Sequence, residues 1–122
     1  MTTAAAVRNL AAAPDAEVLS GIRRASAASG IDFGYLMAQA AQESGFRTDA
    51  KAATSSAAGL FQFVDGTWID LMRRHGARHG VSAGASRDEL LGMRSDPRLS
   101  AAMAAEYAKE NRAALEGALK LR

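Results

Sequence analysis

Cysteine is absent from the chain, which excludes a disulfide framework and a thiolate metal site and leaves the redox compartment open. Proline occurs twice and β-branched residues are sparse, so runs of period two that would build strands find little support. No stretch approaches the roughly 18 consecutive apolar residues of a membrane span. The alanine-rich start, MTTAAAVRNLAAAPDAEVL, lacks a basic segment followed by a continuous apolar one, so no export signal is expected within it. An excess of one charge is missing as well. Fifteen Lys and Arg against 13 Asp and Glu give a net +2, too mild for a nucleic-acid protein but compatible with an anionic polymer.

What remains is a chain of 122 residues, one domain by length and large enough for a modest core. The expected class is all-α. A first helix fits from about Asp15 to Ala28, with Val18, Leu19, Ile22, Ala25 and Ser26 on one stripe and Gly30 as its stop. Asp32 caps a second helix that runs to Ser44 and ends at Gly45. Residues 46–58 read as loop, and Asp65 as the cap of a third helix carrying Trp68, Ile69, Leu71 and Met72. The stretch from His75, HGARHGVSAGAS, is expected to be irregular, with a short helix around Asp88 to Met93 after it. Asp96-Pro97 starts the last helix, to about Leu119, with Leu99, Met103, Tyr107, Ala114 and Ala118 on one arc.

One carboxylate stands out. Glu43 closes the run LMAQAAQ on the second helix. Leu36, Met37, Ala40 and Ala41 share the buried arc, Glu43 falls at its edge, and Gln39 and Gln42 are expected to point elsewhere. Partial burial and the negative end of the helix dipole would both favour the neutral acid, the form a general acid needs. The bland alternative is a boundary glutamate with its tip in water.

The residues around it alter that balance. Glu43-Ser44-Gly45-Phe46, then Ser56-Ala57-Ala58-Gly59-Leu60-Phe61-Gln62-Phe63, then Gly66-Thr67-Trp68, resemble the lytic transglycosylases of the lysozyme superfamily. That family carries Glu-Ser at a helix end and Gly-Leu-Met-Gln after a loop of about this length; here Phe61 stands in place of Met. The resemblance covers roughly residues 31 to 75. The spelling Thr-Ser-Ser-Ala-x-Gly-Leu-x-Gln-Phe is most similar to the small transglycosylases associated with flagella and secretion systems.

The resemblance implies a lysozyme-like (goose-type) helical domain with a substrate cleft. It also implies non-hydrolytic cleavage of the β-1,4 bond between N-acetylmuramic acid and N-acetylglucosamine in peptidoglycan. Glu43 would be the sole catalytic acid and base, with no cofactor and no metal, and a 1,6-anhydromuramoyl end as product. The partners implied are glycan strands, with a flagellar rod or secretion component as a further one, and the location is the periplasm or cell envelope. No second catalytic carboxylate is evident. Asp49 lies in the loop, and Asp65 and Asp70 read as a cap and an exposed position.

Ser55, Ser56, Gly59, Phe61, Gln62 and Tyr107 are the candidate substrate-binding residues. Serines in such a loop also bond backbone groups, and Gln62 has the alternative of anchoring the loop. Gly59 is expected to permit close backbone approach, Phe61 to line the cleft or pack in the core, and Trp68 to belong to the core. His75 and His79 lack the glutamate of a zinc-protease motif and read as exposed. Arg73, Arg74 and Arg78 beside them form a solvated basic face with the option of touching stem-peptide carboxylates. Glu106 and Glu116 read as helix-surface acids. The family's later motif, of the Ala-Tyr-Asn or Tyr-Leu-x-His-Phe-Leu type, is not found before Arg122, so the expectation is a single domain over residues 1–122 cut short at its C-terminal side. Two competing functions stay open: a peptidoglycan-binding module with little turnover, docked on a flagellar or secretion apparatus, and a small basic nucleic-acid binder resting on the arginine cluster alone.

Overall fold

Asp15 opens the first helix, α1 (Ala16–Ser29): its carboxylate accepts from the Val18 amide at 2.9 Å, and Gly30 closes the helix in the left-handed region. The same devices bound α2 (Phe33–Ser44), where Asp32 accepts from the Tyr35 amide and Gly45 ends the helix. Both sets of boundaries agree with the cap chemistry to within one residue. The computed structural model describes residues 13–120, so the expectation for the alanine-rich start lies largely outside the described residues.

After a long loop come α3 (Asp65–His75), a 3₁₀ turn at Gly76–His79, α4 (Arg87–Gly92), a second 3₁₀ turn at Met93–Ser95, and α5 (Pro97–Lys120). Ser86 and Glu89 form a reciprocal capping box at the start of α4. Asp96 accepts from the Arg98 and Leu99 amides just before Pro97 opens α5. Among the described residues there is no sheet. The loop between α2 and α3 carries two isolated antiparallel bridges, Lys51 with Ala58 and Ala58 with Phe63. The expected all-α class is the one observed. No described helix is long and apolar enough to cross a membrane.

The core gathers Val18 and Ile22 of α1, Leu36 and Ala40 of α2, Leu60 of the loop, Trp68 and Leu71 of α3, Leu90 of α4 and Met103 of α5. Helix α5 is central: it lies along α1 and also touches α2 and α3. Its residues Leu99 to Glu106 are buried all round, because neighbours cover several faces at once. Alanines at 101, 102, 104 and 105 keep that helix thin, and α1 answers with Gly21. A Cβ there would come within 3.1 Å of the Pro97 carbonyl oxygen. Trp68 is core, as expected, and its indole N–H donates to the Leu90 carbonyl at 2.6 Å.

Three expectations are corrected. Asp65 is the first residue of α3 and makes no cap; Val64 occupies that position without a side-chain bond, and Asp65 instead pairs with Arg94 at 2.9 Å. In α5, Leu99 and Met103 are buried, but Ala114 and Ala118 are exposed with every residue from 111 to 120. An apolar arc marks which face could be covered; it does not supply the covering element. Finally, His75 and His79 are half-buried, and Glu106 is buried.

These last residues form a clamp between the end of α3 and α5. His79 Nε2 lies 2.9 Å from Glu106 Oε2, and His75 Nε2 lies 2.6 Å from Glu110 Oε2. Arg78 reaches Glu106 at 3.4 Å, and Arg74 bridges Glu110 and Asp70. Two i,i+4 pairs thus face each other across the helices. Burial opposes the ionised form of Glu106, yet the hydrogen bond with His79 and the charges of His75, Arg78 and Lys109 prevail and hold its pKa below the ordinary value. The hydrogen bond from Arg74, foremost, does the same for Glu110. A carboxylate with a depressed folded-state pKa stabilises fully above its unfolded value of about 4.3, and that contribution is lost as pH falls through the folded one. Stability should therefore decline below about pH 4.3. Glu106→Gln should lower stability near neutral pH by about 1–3 kcal/mol and flatten the acid decline. Thermal melts of both proteins across acid and neutral pH check this; an unchanged neutral melting temperature would remove Glu106 from the clamp.

Candidate active site

One side of α2, from its first turn to its last, borders a groove of about 240 Å³. Tyr35, Gln39 and Glu43 face it from α2 at four-residue spacing, one above the other on one side of the helix. The loop before α3 contributes Phe61, Gln62, Phe63 and Val64, and α3 contributes Thr67. From α5 come Ala104, Tyr107, Ala108 and Asn111. A larger cavity of about 570 Å³, between the starts of α1 and α5, shares no residue with this groove; Glu17, Arg24, Asp96 and Arg98 are among the residues that line it.

The loop is held against the helix end by the residue after the acid. Ser44 Oγ lies 2.7 Å from the Leu60 carbonyl oxygen and 3.1 Å from that of Ala40, so it can donate across to the loop. This is the physical link between Glu43-Ser44 and Gly59-Leu60. Gln62 takes a left-handed backbone conformation, φ 54°, unusual for a residue with a side chain. Its Nε2 donates to the Gly59 carbonyl at 2.8 Å and the Ala50 carbonyl at 3.0 Å, which fastens the loop to itself. Arg94 fixes the outer side. Its guanidinium donates to the carbonyls of Ser56 and Phe63 and pairs with Asp65.

Glu43 itself is exposed in the groove, so the partial burial expected from its place on the helix is not observed. The helix ends there, and α5 stands across the groove from the carboxyl without covering it. Among the described residues lining the groove, Glu43 is the one carboxylate. Five of its polar neighbours are equally unengaged: the side chains of Tyr35, Gln39, Thr67, Tyr107 and Asn111 make no hydrogen bond to another described group, whereas Gln62 in the groove wall and Ser44 and Arg94 behind it are bonded. Phe63 stacks edge-on to Tyr107 at 6.2 Å and lies 5.5 Å from Trp68, a continuous aromatic layer from core to groove. One acid, free hydrogen-bonding groups and aromatic faces suit a polyhydroxylated ligand on which a proton is moved.

The family model described as Transglycosylase SLT domain matches residues 20–121. The chain belongs to that family. An SLT domain carries a transglycosylase-type function directed at peptidoglycan, the polymer of the cell envelope, and the lysozyme-like helical fold goes with it.

Of the candidates read from the SLT sequence, the structure brings Glu43, Phe61, Gln62 and Tyr107 to one groove. Phe61 serves both of its readings, lining the groove while only 7 % exposed. Ser55 and Ser56 are elsewhere: their hydroxyls accept from the amides of Ala57 and Asp65, the backbone use that loop serines commonly find. Gly59 also lies behind the groove, and the backbone it approaches is that of Arg94. Gln39, expected to point away, lines the groove one turn before the acid. Arg94 escaped notice because nothing in its local sequence marks it; its partners lie some thirty residues earlier in the chain. The basic cluster is largely neutralised, since Arg74 and Arg78 are engaged with Glu110, Asp70 and Glu106.

Proposed function

We propose that this SLT domain cleaves the β-1,4 bond between N-acetylmuramic acid and N-acetylglucosamine without water, with Glu43 as acid and then base. Protonation of the glycosidic oxygen by Glu43 accompanies cleavage of the bond to the muramoyl anomeric carbon. The Glu43 carboxylate next takes the proton of the muramoyl 6-hydroxyl, whose oxygen closes on that carbon as a 1,6-anhydro bridge. Atoms balance with no water consumed, and Glu43 ends protonated for another turnover. The observation that carries this reading is the isolation of Glu43. It is the one acid in a groove where the side chains of Tyr35, Gln39, Thr67, Tyr107 and Asn111 are free to bind sugar, so the two-carboxylate arrangement of most glycosidases has no second member among the described residues lining the groove. Because Glu43 is exposed, the glycan lying across it supplies the exclusion of water. Tyr107 offers a face for a sugar ring and Gln62 its unspent carbonyl oxygen.

The place of action would be the cell envelope. A flagellar or secretion partner rests on the spelling of residues 54–63 alone. The test is mass spectrometry of the soluble fragments released from purified sacculi. Products lighter by one water than the corresponding reducing sugars are expected; reducing-end products would make the domain a hydrolase, and glycan binding without release would make it a binding module.

A further inference from the structure

Gln39 lies on α2 one turn before Glu43 and lines the same groove. Its Oε1 is buried with no hydrogen-bond partner among the described residues. An unpaired amide oxygen away from water is destabilising, and native structures seldom keep one without a use. Exchanging the oxygen and nitrogen of the amide replaces an unpaired acceptor by an unpaired donor and leaves the same deficit. The residue as a whole is half-buried at the groove wall, and its terminal torsion is broad, so rotation of the amide turns one of its two polar atoms at a time toward a bound ligand.

The surroundings narrow the choice of partner. Phe61, Phe63 and Ala104, all buried, and Ala108 put apolar surface into the same groove. A hydroxyl would satisfy Oε1 but leave that surface uncovered. An acetamido group brings an N–H, a carbonyl and a methyl together, which matches an amide set beside apolar walls. We infer that Gln39 is a specificity-determining residue that pairs its side-chain amide with the acetamido group of a sugar bound beside Glu43, an inference that rests on the glycan site proposed above. It is neutral, so it adds selectivity at the acid's side without altering the charge there.

Gln39→Met preserves length and approximate volume and removes both amide atoms. Binding is measured by NMR titration on protein already carrying Glu43→Gln, so that turnover consumes no ligand. The probes are an N-acetylglucosamine tetramer and cellotetraose, which has a hydroxyl where each acetamido group stood. The Glu43→Gln protein should prefer the acetylated tetramer. Adding Gln39→Met should weaken that ligand by about five- to a hundredfold and leave the response to cellotetraose unchanged. The melting temperature should hold or rise, because an apolar isostere replaces an unpaired buried amide. A purely structural glutamine would instead lower the melting temperature and both affinities together, which overturns the inference. An undiminished preference for the acetylated tetramer in the double variant overturns it too, while leaving the glycan site intact. Absence of binding to either probe with Gln39 present overturns the site and the inference at once.

Discussion

Glu43→Gln is expected to abolish release of 1,6-anhydro fragments while fold and glycan binding persist. The carboxyl is exposed and makes no contact that holds the helix end; Ser44 and the Gly45 cap do that. Glutamine is nearly isosteric and still bonds sugar hydroxyls, but it has no proton to deliver to the leaving oxygen. General acid catalysis is typically worth about 10² to 10⁴ in rate. With no other carboxylate among the described groove residues, the loss should reach the upper end of that range or beyond. Turbidity loss of purified sacculi, with mass spectrometry of the supernatant, measures it. Glu116→Gln is the fitting control, since Glu116 is exposed on the far part of α5; Glu106 is not, because it is buried in the His–Glu clamp. Anhydro products at the wild-type rate from the Gln variant would remove Glu43 from catalysis.

Local chemistry was legible in the sequence and distant pairing was not. Asp15, Asp32 and Asp96 accept from amides two or three residues ahead, and Gly30 and Gly45 donate their own amides to carbonyls four or five residues back, so these helix boundaries could be read directly. The helix-end geometry and the motif spacing place Glu43 beside Gly59 to Gln62, and the structure puts Phe61 and Gln62, though not Gly59, in its groove. Gln39 was misjudged by a narrow margin: its i,i+4 relation to Glu43 puts both on one side, and the buried arc was drawn one position too far round. For His75, His79 and Glu106 the failure has another cause. Each reads as a surface residue by composition, and only the contact of α3 and the turn after it with α5 draws them together and partly or wholly buries them. The arginine at position 94 depends on the same kind of long-range closure. Periodicity names a face, and its partner is decided by topology.

Gly59→Ala should be the most damaging single methyl in the chain. Gly59 is buried with φ +85°, a region that disfavours an L side chain by about 1–2 kcal/mol. A Cβ there would overlap the Arg94 carbonyl oxygen and reach within 3.1 Å of the carbonyl carbon. Both are backbone atoms that no rotamer change can move. Relief requires the loop and the Met93–Ser95 turn to separate, and the loop is constrained from both ends. The Gly59 amide donates to Ala50 at 2.8 Å, and its carbonyl accepts from the backbone and side chain of Gln62. Displacing it would carry Phe61 and Gln62 away from Glu43. The expected loss is about 3–5 kcal/mol, out of a typical total of about 5–15, or a melting temperature lower by roughly 12 °C or more. Lytic activity should fall further than the folded fraction does, since the groove itself is distorted. Gly66→Ala is the contrasting substitution. It adds the same methyl in the first turn of α3, where nothing lies within 4 Å, and should be neutral or stabilising by up to about 1 kcal/mol. Equal melting temperatures for the two variants would show that the loop yields freely at Gly59, and the account of how it is held beside Glu43 would then be wrong.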